Sequence, residues 1–473
     1  MPKGVRSARN EAAHAGWVSV TGEGIPGQRV ARARRARAPS WDRYSLRFVY
    51  LMWALTIFDP MRFLDARLGA DGVLTRVPTL LAPLLLVVIA TKWRKEGIYW
   101  PFTLFLLLIV VALPFVDNRG RAFAAFACLY PSYLLYVATI SLVDVPRKCL
   151  PILFIFLLGF VWYGVQGLSI GLVPWQTAMD ENGFGALMVL GVAFAFSFAR
   201  AARVTSWRVL GYSTAALCVG GAVISFARGA FLALVVVAAF IWLLSPRKLT
   251  ALLAGLAGVA VLLGVIQIRY PGGKFWQEMG TVEEAVDSPE TEERWVLNKM
   301  ALGVFQKYPI FGVGPNNFGP VAARTVSADP TRSSYRNPGA IYGRTLHNDY
   351  LQVLVEEGVV GFVLYLWMIV DFFRRTRDLR RRSLAARWRS AVRGRLELPM
   401  LAIGLEAAMI AYLVTALVYP QLYFHWYYTL VTLAGSLTGV SRRLARADPR
   451  EASRRPALSR TLRPSLPQPA MRS

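Results

Sequence analysis

The stretch VISFARGAFLALVVV, residues 223–237, places a single arginine, Arg228, in an otherwise apolar run. Apolar runs of about 18 residues or more recur from Tyr44 to Val440, and each is long enough to span a bilayer as a helix. Transmembrane strands would instead alternate apolar and polar residues. The sequence therefore predicts an all-α polytopic membrane protein.

Hydropathy predicts about twelve spans, and the distribution of Lys and Arg orients them. The expected limits are 44–60, 72–92, 98–116, 122–143, 150–168, 183–199, 208–226, 229–244, 248–268, 351–373, 398–419 and 423–440. The two runs beside Arg228 could also form one broken helix. With the N-terminus inside, the basic loops KWRKEG, DVPRK and SPRK all lie in the cytoplasm. Both termini are then cytoplasmic, and the long segment 269–347, between spans 9 and 10, lies outside.

The composition fits a membrane domain with basic ends. The 473 residues are 55% hydrophobic, with a mean hydropathy of +0.41 and a formal net charge of +26. The Arg-rich segments 1–43 and 441–473 are predicted to be disordered cytoplasmic tails that can contact anionic membrane lipid, and 44–440 is the transmembrane domain. No RNA-binding motif with interleaved aromatics accompanies the charge, so a nucleic-acid partner is not expected.

His347 lies just before a predicted helix start in GRTLHNDYLQVLVEEGVVG, residues 343–361. Asp349 is expected to cap this helix, with Gln352 completing a capping box. A helix N-terminus favours phosphate and neutral imidazole, and a neutral imidazole can accept a proton from a hydroxyl. On local features alone, an ordinary loop histidine remains the alternative.

A change of direction is predicted at the end of this short helix. Gly358 is expected to bend the chain between a short interfacial helix and a transmembrane helix. Glu356 and Glu357 stand near the bend, and for Glu356 we expect a solvated helix end.

Several charged residues are candidates for function. A charge inside a span is costly, so Arg228 is either functional or snorkels to the interface. Arg294 and Arg344 lie in the segment predicted outside, and arginine binds phosphate through a planar, bidentate fork. Together these residues suit a pyrophosphate-bearing substrate, although each alone could be a surface charge. Glu406, inside another span, could pair with an arginine in the bundle or act catalytically.

No metal or cofactor site is indicated by the motifs. The segment FGVGPNNF, with Gly312 and Gly314, does not follow a strand, and we interpret it as a tight turn. No H-E-x-x-H, D-x-D or EF-hand spacing is present, and the three cysteines have no C-x-x-C spacing. The sequence therefore predicts neither a metal nor a cofactor.

Three segments, in the same order, resemble those of the O-antigen ligase and O-antigen polymerase family of bacterial inner-membrane enzymes. SFARGAFLAL resembles its Ser-x-x-Arg-Gly segment, and ERWVLNKMALGVFQKYPIFGVGPNNF resembles its Arg-aromatic…Pro-x-x-Gly-x-Gly-x-x-x-Phe segment. LHNDYLQVLVEEGVVG resembles its His-Asn-x-x-Leu-x-x-x-x-Glu-x-Gly-x-x-Gly signature. These motifs cover roughly residues 222–373. The resemblance implies metal-independent, inverting glycan transfer at the periplasmic face, from undecaprenyl pyrophosphate to a hydroxyl of a glycan, lipid A–core or other acceptor.

The resemblance also assigns residues by position. His347 matches the family's essential histidine, which implies activation of the acceptor hydroxyl, and Arg228 and Arg294 match its two essential arginines, which implies binding of the pyrophosphate. Asn182, in MDENGFGALM, matches a weaker family segment. The expected site is His347 as catalytic residue; Arg228, Arg294, Arg344, Asn348 and Asn182 as contacts to pyrophosphate or glycan; and Gly312, Gly314 and Gly358 as structural turns.

Other functions stay open at this point. Within the family, a ligase is favoured, and a repeat-unit polymerase for O-antigen or exopolysaccharide is the alternative. A lipid-linked glycan flippase or transporter would predict several charges inside the spans and a repeat between halves, and neither is evident. A transferase using polyprenyl-monophosphate sugars would place paired acids in the first outside loop; Asp59, Asp65 and Asp71 lie there without being adjacent.

Overall fold

The structure is a computed structural model. It describes residues 40–59, 76–92, 100–170, 180–245, 247–269, 289–327, 341–381, 388–390, 392 and 394–446. Most of the two predicted basic tails lies outside these residues, as do Asp65 and Asp71.

Helices make up the regular structure of the described residues. In chain order they are α1 (Ser40–Phe58), α2 (Val77–Leu81), α3 (Leu84–Lys92), α4 (Trp100–Ala112), α5 (Arg119–Leu142), α6 (Pro146–Ile170), α7 (Glu181–Ala201), α8 (Thr205–Ile224), α9 (Arg228–Leu243), α10 (Lys248–Arg269), α11 (Pro289–Lys307), α12 (Phe318–Ser327), α13 (Asp349–Glu356), α14 (Gly358–Leu379), α15 (Leu398–Thr415) and α16 (His425–Arg446). Each apolar run of the sequence contains at least one of them, because such runs satisfy their backbone hydrogen bonds internally.

Several of these helices suit a bilayer. Within the described residues, α5, α6, α7, α8 and α15 are long and apolar enough to cross a membrane, and α4 and α9 are shorter apolar helices. The protein is therefore an all-helical membrane protein, and the count of twelve spans stays a prediction.

Helix α7 lies at the centre of the helix contacts. It packs against α6, α8, α9 and α15, and most of its residues are buried. Small residues permit this close packing, as between helices of membrane proteins generally. At Gly211 of α8, for example, an added Cβ would lie 2.9 Å from the backbone nitrogen of Ala199 in α7.

The region around Arg228 forms two helices rather than one broken helix. Helix α8 ends at Ile224 and α9 begins at Arg228, and between them Phe226 adopts a left-handed φ of 51°. Arg228 is therefore an exposed residue at a helix start, at the junction of the predicted spans 208–226 and 229–244 and not within a continuous helix. The physical reason is that the chain turns at Ser225–Ala227, so that Arg228 begins a new helix.

Glu406 pairs with an arginine. Its Oε1 lies 3.5 Å from Nε of Arg380 at the end of α14, and Glu406 is only 3% exposed. Of the two roles considered for Glu406, the geometry gives that of an ion pair within the bundle.

Helices α11, α12 and α13 share a second apolar cluster. Its buried side chains include Leu297, Ala301 and Val304 of α11, Phe318 and Ala322 of α12, and Leu346 and Val355 beside and within α13. Because the residue before His347 and the end of α13 both belong to this cluster, it fixes the position of the segment that carries His347.

Candidate functional site

The short helix α13 begins two residues after the predicted catalytic histidine. Asn348 is its N-cap, with an extended backbone and a side-chain oxygen that accepts the N–H of Leu351 at 3.0 Å. His347, half-buried, stands immediately before this cap. The expected placement of His347 at a helix start therefore holds, while the capping residue is Asn348 rather than Asp349.

Asp349 points away from its own helix and holds another segment. It is fully buried, and its Oδ1 accepts the backbone N–H groups of Gln421 at 2.6 Å and Leu422 at 3.0 Å. Its Oδ2 accepts the hydroxyl of Tyr412 at 3.0 Å. The backbone N–H of Asp349 in turn donates to the carbonyl of Ala416 at 2.8 Å. The predicted capping role of Asp349 is wrong because the carboxylate is used to bind the connection between α15 and α16.

Burial changes the acidity of Asp349. Its pKa is raised from the ordinary value to about 7 by desolvation, while the hydrogen bonds from Gln421, Tyr412 and Leu422 oppose the rise. The carboxyl group lies at the start of α13, ahead of the longer apolar helix α14. A group that titrates near neutrality therefore lies two residues from His347.

The connection between α15 and α16, residues 416–424, also contacts the starts of α7 and α9. A Cβ on Gly183 of α7 would lie 2.5 Å from the hydroxyl oxygen of Tyr419, and a Cβ on Gly229 of α9 would collide with Val418. Asn182 precedes Gly183, and Arg228 precedes Gly229. These contacts place Asn182 and Arg228 beside the connection that Asp349 binds, at the same end of the bundle as His347.

Helices α7 and α9 also approach each other directly at this end. A Cβ on Gly185 would lie 2.6 Å from Oγ of Ser225 and 2.9 Å from Cβ of Ala227. The absence of a side chain at Gly185 thus allows the turn before Arg228 to rest on the first turns of α7. This contact fixes the position of the start of α9 and of Arg228.

Arg294 and Arg344 lie on segments that pack against α13, and not on the helices α7 and α9. Arg294 is half-buried on α11, one helical turn before Leu297, which packs in the cluster with Leu346 and Val355. Arg344 is exposed, and its backbone N–H donates to the carbonyl of Ile341 at 2.9 Å. Both arginines therefore belong to segments that pack around α13, whereas Arg228 comes from the membrane helices.

The turn predicted at Gly312 and Gly314 packs against the end of α13. The N–H of Val313 donates to the carbonyl of Val355 at 3.1 Å, and that of Gly314 to the carbonyl of Glu356 at 2.7 Å. Both glycines have positive φ, 69° and 89°. A Cβ on Gly312 would collide with the carbonyl of Glu356, so this close approach requires glycine.

Gly358, after the end of α13, packs in turn against residues 310–311, just before Gly312. Its φ is 66°, and it separates α13 from α14, which confirms the predicted bend. The next two N–H groups, of Val359 and Val360, donate to the carbonyls of Pro309 and Ile310 at 2.9 and 3.2 Å. A Cβ on Gly358 would collide with the carbonyl of Ile310. Backbone hydrogen bonds and close backbone packing therefore join the turn at Gly312–Gly314 to the turn at Gly358.

Glu356 connects the same two segments through its side chain. Its Oε2 accepts the N–H of Asn316 at 2.9 Å and the hydroxyl of Tyr423 at 2.6 Å, and its Oε1 accepts the N–H of Phe318 at 3.4 Å. The residue is 1% exposed, so the expectation of a solvated helix end for Glu356 is wrong. The reason is that the turn after α11 and the connection before α16 cover the end of α13.

The connection between α4 and α5 also belongs to this region, although no motif in the sequence indicated it. The N–H of Asn118 donates to Oδ1 of Asn317 at 2.8 Å, and its Nδ2 donates to the hydroxyl of Tyr342 at 2.7 Å. Asp117 forms an ion pair with Arg324 of α12. The polar segment VDNRGR, residues 116–121, between two apolar runs is only a weak signal for these contacts.

The assembled residues suit proton transfer and anion binding. An imidazole at a helix start can act as a base, and guanidinium groups can bind phosphate oxygens. Within the part of the chain that the structure describes, no group of three His, Cys, Asp or Glu residues is placed to hold a metal ion.

A comparison with protein families identifies a match to part of the chain. A family model described as O-Antigen ligase matches residues 213–366, a range that contains Arg228, Arg294, Arg344 and His347, whereas Asn182 lies before it. A search of curated proteins finds no match to the chain. The family match confirms the resemblance carried by the three sequence segments.

Proposed function

We propose that this chain, which belongs to the O-antigen ligase family through residues 213–366, is a ligase-type membrane glycosyltransferase. In this proposal it acts at the periplasmic face of the bacterial inner membrane. It transfers a glycan from undecaprenyl pyrophosphate to an acceptor hydroxyl on lipid A–core, a glycan or another molecule. The reaction uses no metal ion and inverts the anomeric centre.

One observation supports this proposal most strongly. Asn182, Arg228 and His347 come from three separate parts of the chain. Asn182 and Arg228 each precede a glycine that contacts the connection at 416–424, and His347 lies two residues before Asp349, which binds this connection. A basic imidazole and a guanidinium at one end of a helical bundle are the groups that an acceptor hydroxyl and a pyrophosphate leaving group require.

In the proposed step, His347 accepts the proton of the acceptor hydroxyl. The hydroxyl oxygen forms a bond to the anomeric carbon while the bond from that carbon to the pyrophosphate oxygen breaks. The electron pair of the broken bond remains on the lipid pyrophosphate, whose charge Arg228 and Arg294 stabilise. Attack opposite the leaving group inverts the anomeric configuration.

The test uses the purified full chain with a glycan on undecaprenyl pyrophosphate as donor. We expect His347→Ala and His347→Gln to lower kcat at least about 100-fold, the lower end of the range for general acid–base groups. His14→Ala, in the predicted N-terminal tail, is the control and should keep the wild-type rate. EDTA should leave the rate unchanged.

Wild-type transfer that persists in either His347 variant, with equal amounts of folded protein, would overturn this role of His347. Loss of transfer in EDTA, restored by a divalent ion, would overturn the metal-independent mechanism. Retained donor consumption with an unchanged anomeric configuration would overturn the inverting displacement.

A deletion strain separates ligase from polymerase. Accumulation of full-length chains on the carrier lipid is the result expected of a ligase. Loss of long chains, while single repeats still reach the acceptor, would instead indicate a polymerase. Accumulation of single lipid-linked units on the cytoplasmic side would indicate the flippase alternative.

A further inference from the structure

Glu357 lies at the junction of α13 and α14 and has no role in the proposed reaction. It follows the last residue of α13 and takes the N-cap position of α14, but its side chain does not cap that helix. The residue is 0% exposed, and within the part of the chain that the structure describes neither of its carboxyl oxygens has a hydrogen-bond partner. Because an isolated ion is costly to bury, such a carboxyl group either carries a proton or binds a cation.

The surroundings of this carboxyl group contain no positive charge among the described residues. The titratable groups that face it are Glu356 of α13, Tyr423 of the connection at 416–424 and Tyr428 of α16. On the side of α4, the apolar side chain of Leu108 lies against the same turn of α14 as the side chain of Glu357. An ion pair with the protein therefore does not explain why this carboxyl group is buried.

The geometry favours a proton over a metal ion. Ca²⁺ and Mg²⁺ take about six or more oxygen ligands, whereas the oxygens available here are the two of Glu357 and the hydroxyl of Tyr423. The oxygens of Glu356 are already occupied, because they accept that hydroxyl and the N–H groups of Asn316 and Phe318. Two adjacent buried carboxylates would also repel each other if both were ionised. Glu356, with its donors, is therefore the charged member of the pair, and Glu357 is the neutral one.

A neutral Glu357 has a hydrogen-bond donor, and Tyr423 has an acceptor for it. The hydroxyl of Tyr423 donates to Oε2 of Glu356 at 2.6 Å and accepts the N–H of Asn316 at 3.2 Å. A hydroxyl oxygen can accept a further hydrogen bond, so the O–H of Glu357 fits beside these contacts. An ionised Glu357 would instead compete with Glu356 for the single hydroxyl hydrogen of Tyr423.

The connection at 416–424 is bound near both ends of α13. At the start of the helix, Asp349 accepts two backbone N–H groups of the connection, and at its end Glu356 accepts the hydroxyl of Tyr423. The connection in turn packs against the glycine that follows Arg228. Because α13 begins two residues after His347, these attachments fix the helix of the predicted base relative to the helix of the predicted pyrophosphate ligand.

We propose that Glu357 is a positioning residue that carries a proton in the active protein and, through Tyr423, keeps the connection at 416–424 attached to the end of α13. The inference rests on the proposed function, because its kinetic readout is glycan transfer. Loss of the proton places a second negative charge beside Glu356 and draws the hydroxyl of Tyr423 away from it. The connection then loses its attachment to the end of α13, and the groups on its two sides lose their fixed separation.

The first experiment detects the proton directly. Infrared difference spectra of the full chain at pH 7 compare the wild type with Glu357→Gln, and we expect the carbonyl stretch of a protonated carboxyl group to be lost in the variant. Glu397→Gln is the matched control, because Glu397 forms an ion pair with Arg203 and should contribute no such band. A wild type that lacks the band lost in Glu357→Gln would overturn the proposal.

The second experiment tests positioning. Glutamine can donate a hydrogen bond but cannot ionise, so Glu357→Gln should transfer glycan within about twofold of wild type, whereas Glu357→Leu and Tyr423→Phe should each lower kcat about tenfold with KM changed less than about twofold. Tyr50→Phe is the matched control, because it loses a hydroxyl that donates to the carbonyl of Lys148 at the start of α6, and it should keep the wild-type kcat.

The combination of the two substitutions tests whether Glu357 acts through Tyr423. The double variant of Glu357→Leu and Tyr423→Phe should be no slower than Tyr423→Phe alone, because both changes remove the same contact. If Glu357→Leu does not fold, Tyr423→Phe and the pH profile decide: raising the pH until the carboxyl band of the wild type disappears should lower its kcat but not that of Glu357→Gln. A folded Tyr423→Phe with the wild-type kcat, or band loss without loss of transfer, would overturn the proposal.

The two readouts separate this inference from the proposed function. A wild-type protein that shows the carboxyl band of Glu357 but transfers no glycan retains the protonated residue and contradicts the transferase. A wild-type protein that transfers glycan without that band contradicts the role of Glu357 alone.

Discussion

Asp349, two residues after His347, combines full burial with three hydrogen bonds from groups in the α15 end and the connection at 416–424. Its neighbour Asn348 takes the capping position instead. Asn and Asp are almost equally good N-caps, so local sequence could not choose between them. Asp349 is not the N-cap because its carboxyl group accepts the N–H groups of the connection before α16, which leaves the capping position to Asn348.

Substitution of Asp349 should show how strongly this carboxyl group holds the site. Asp349→Ala leaves the buried N–H groups of Gln421 and Leu422 unpaired, at a cost of about 1–3 kcal/mol each. Asp349→Asn keeps one acceptor oxygen and should be much milder. Thermal unfolding of the purified variants measures the difference. Equal unfolding temperatures for the two variants would contradict this role.

The raised pKa of Asp349 also predicts how stability depends on pH. Because the folded pKa of about 7 exceeds the ordinary value of 3.8, the folded protein binds the proton more strongly than the unfolded chain. Protonation of Asp349 therefore stabilises the folded protein. This stabilisation is complete below about pH 4 and is lost as the pH rises through 7. The unfolding temperature of the wild type should therefore fall from pH 5 to pH 8 relative to that of Asp349→Asn. A parallel pH dependence in the two proteins would be the contrary result.

At the scale of elements, α13 and the turn at Gly312–Phe318 behave as one unit. The backbone N–H groups of Val313 and Gly314 donate to carbonyls at the end of α13, and the side chain of Glu356 accepts the N–H groups of Asn316 and Phe318. The sequence indicated each turn separately through its glycines. It could not show that the two turns pair, because the segments are about 40 residues apart and nothing local records their contact.

Glycine substitutions test this pairing. Gly358→Ala places a Cβ against the carbonyl of Ile310 at a positive φ, which costs about 1–2 kcal/mol for the backbone conformation before the collision is counted. We expect at least a tenfold loss of glycan transfer and a lower unfolding temperature. The control is Gly303→Ala in α11, where the added Cβ meets open space; it should be neutral or stabilising by about 0.5–1 kcal/mol. Wild-type glycan transfer and a wild-type unfolding temperature in Gly358→Ala would show that the pairing of the two turns is dispensable.

At the scale of the whole molecule, the packing of α7 with α6, α8, α9 and α15 supports the site end of the bundle. The ion pair between Arg380 and Glu406 lies elsewhere. Glu406 is about ten residues before Ala416, so roughly 15 Å of helix α15 separates it from the contact with Asp349. This pair should therefore affect stability more than transfer.

Removal of either residue of the Arg380–Glu406 ion pair tests whether the pair affects stability and not glycan transfer. Arg380→Ala leaves the carboxylate of Glu406 buried without its cation, whereas Glu406→Gln leaves Arg380, which is 32% exposed, able to reach water. We expect a lower unfolding temperature for Arg380→Ala than for Glu406→Gln, and glycan transfer within about twofold of wild type in the fraction that remains folded. Strong inactivation by Glu406→Gln without unfolding would instead favour a catalytic role.

The sequence by itself determined the apolar helices, because hydropathy is a property of neighbouring residues and a long apolar run is stable in a bilayer only as a helix. It also indicated the helix start after His347 and the bend at Gly358, since both depend on neighbouring residues. The tertiary structure alone decided that Glu356 and Asp349 are buried and that residues 113–118 join the site region. It did so because burial and hydrogen-bond partners there come from segments about 40 to 200 residues away, whose proximity no local pattern encodes.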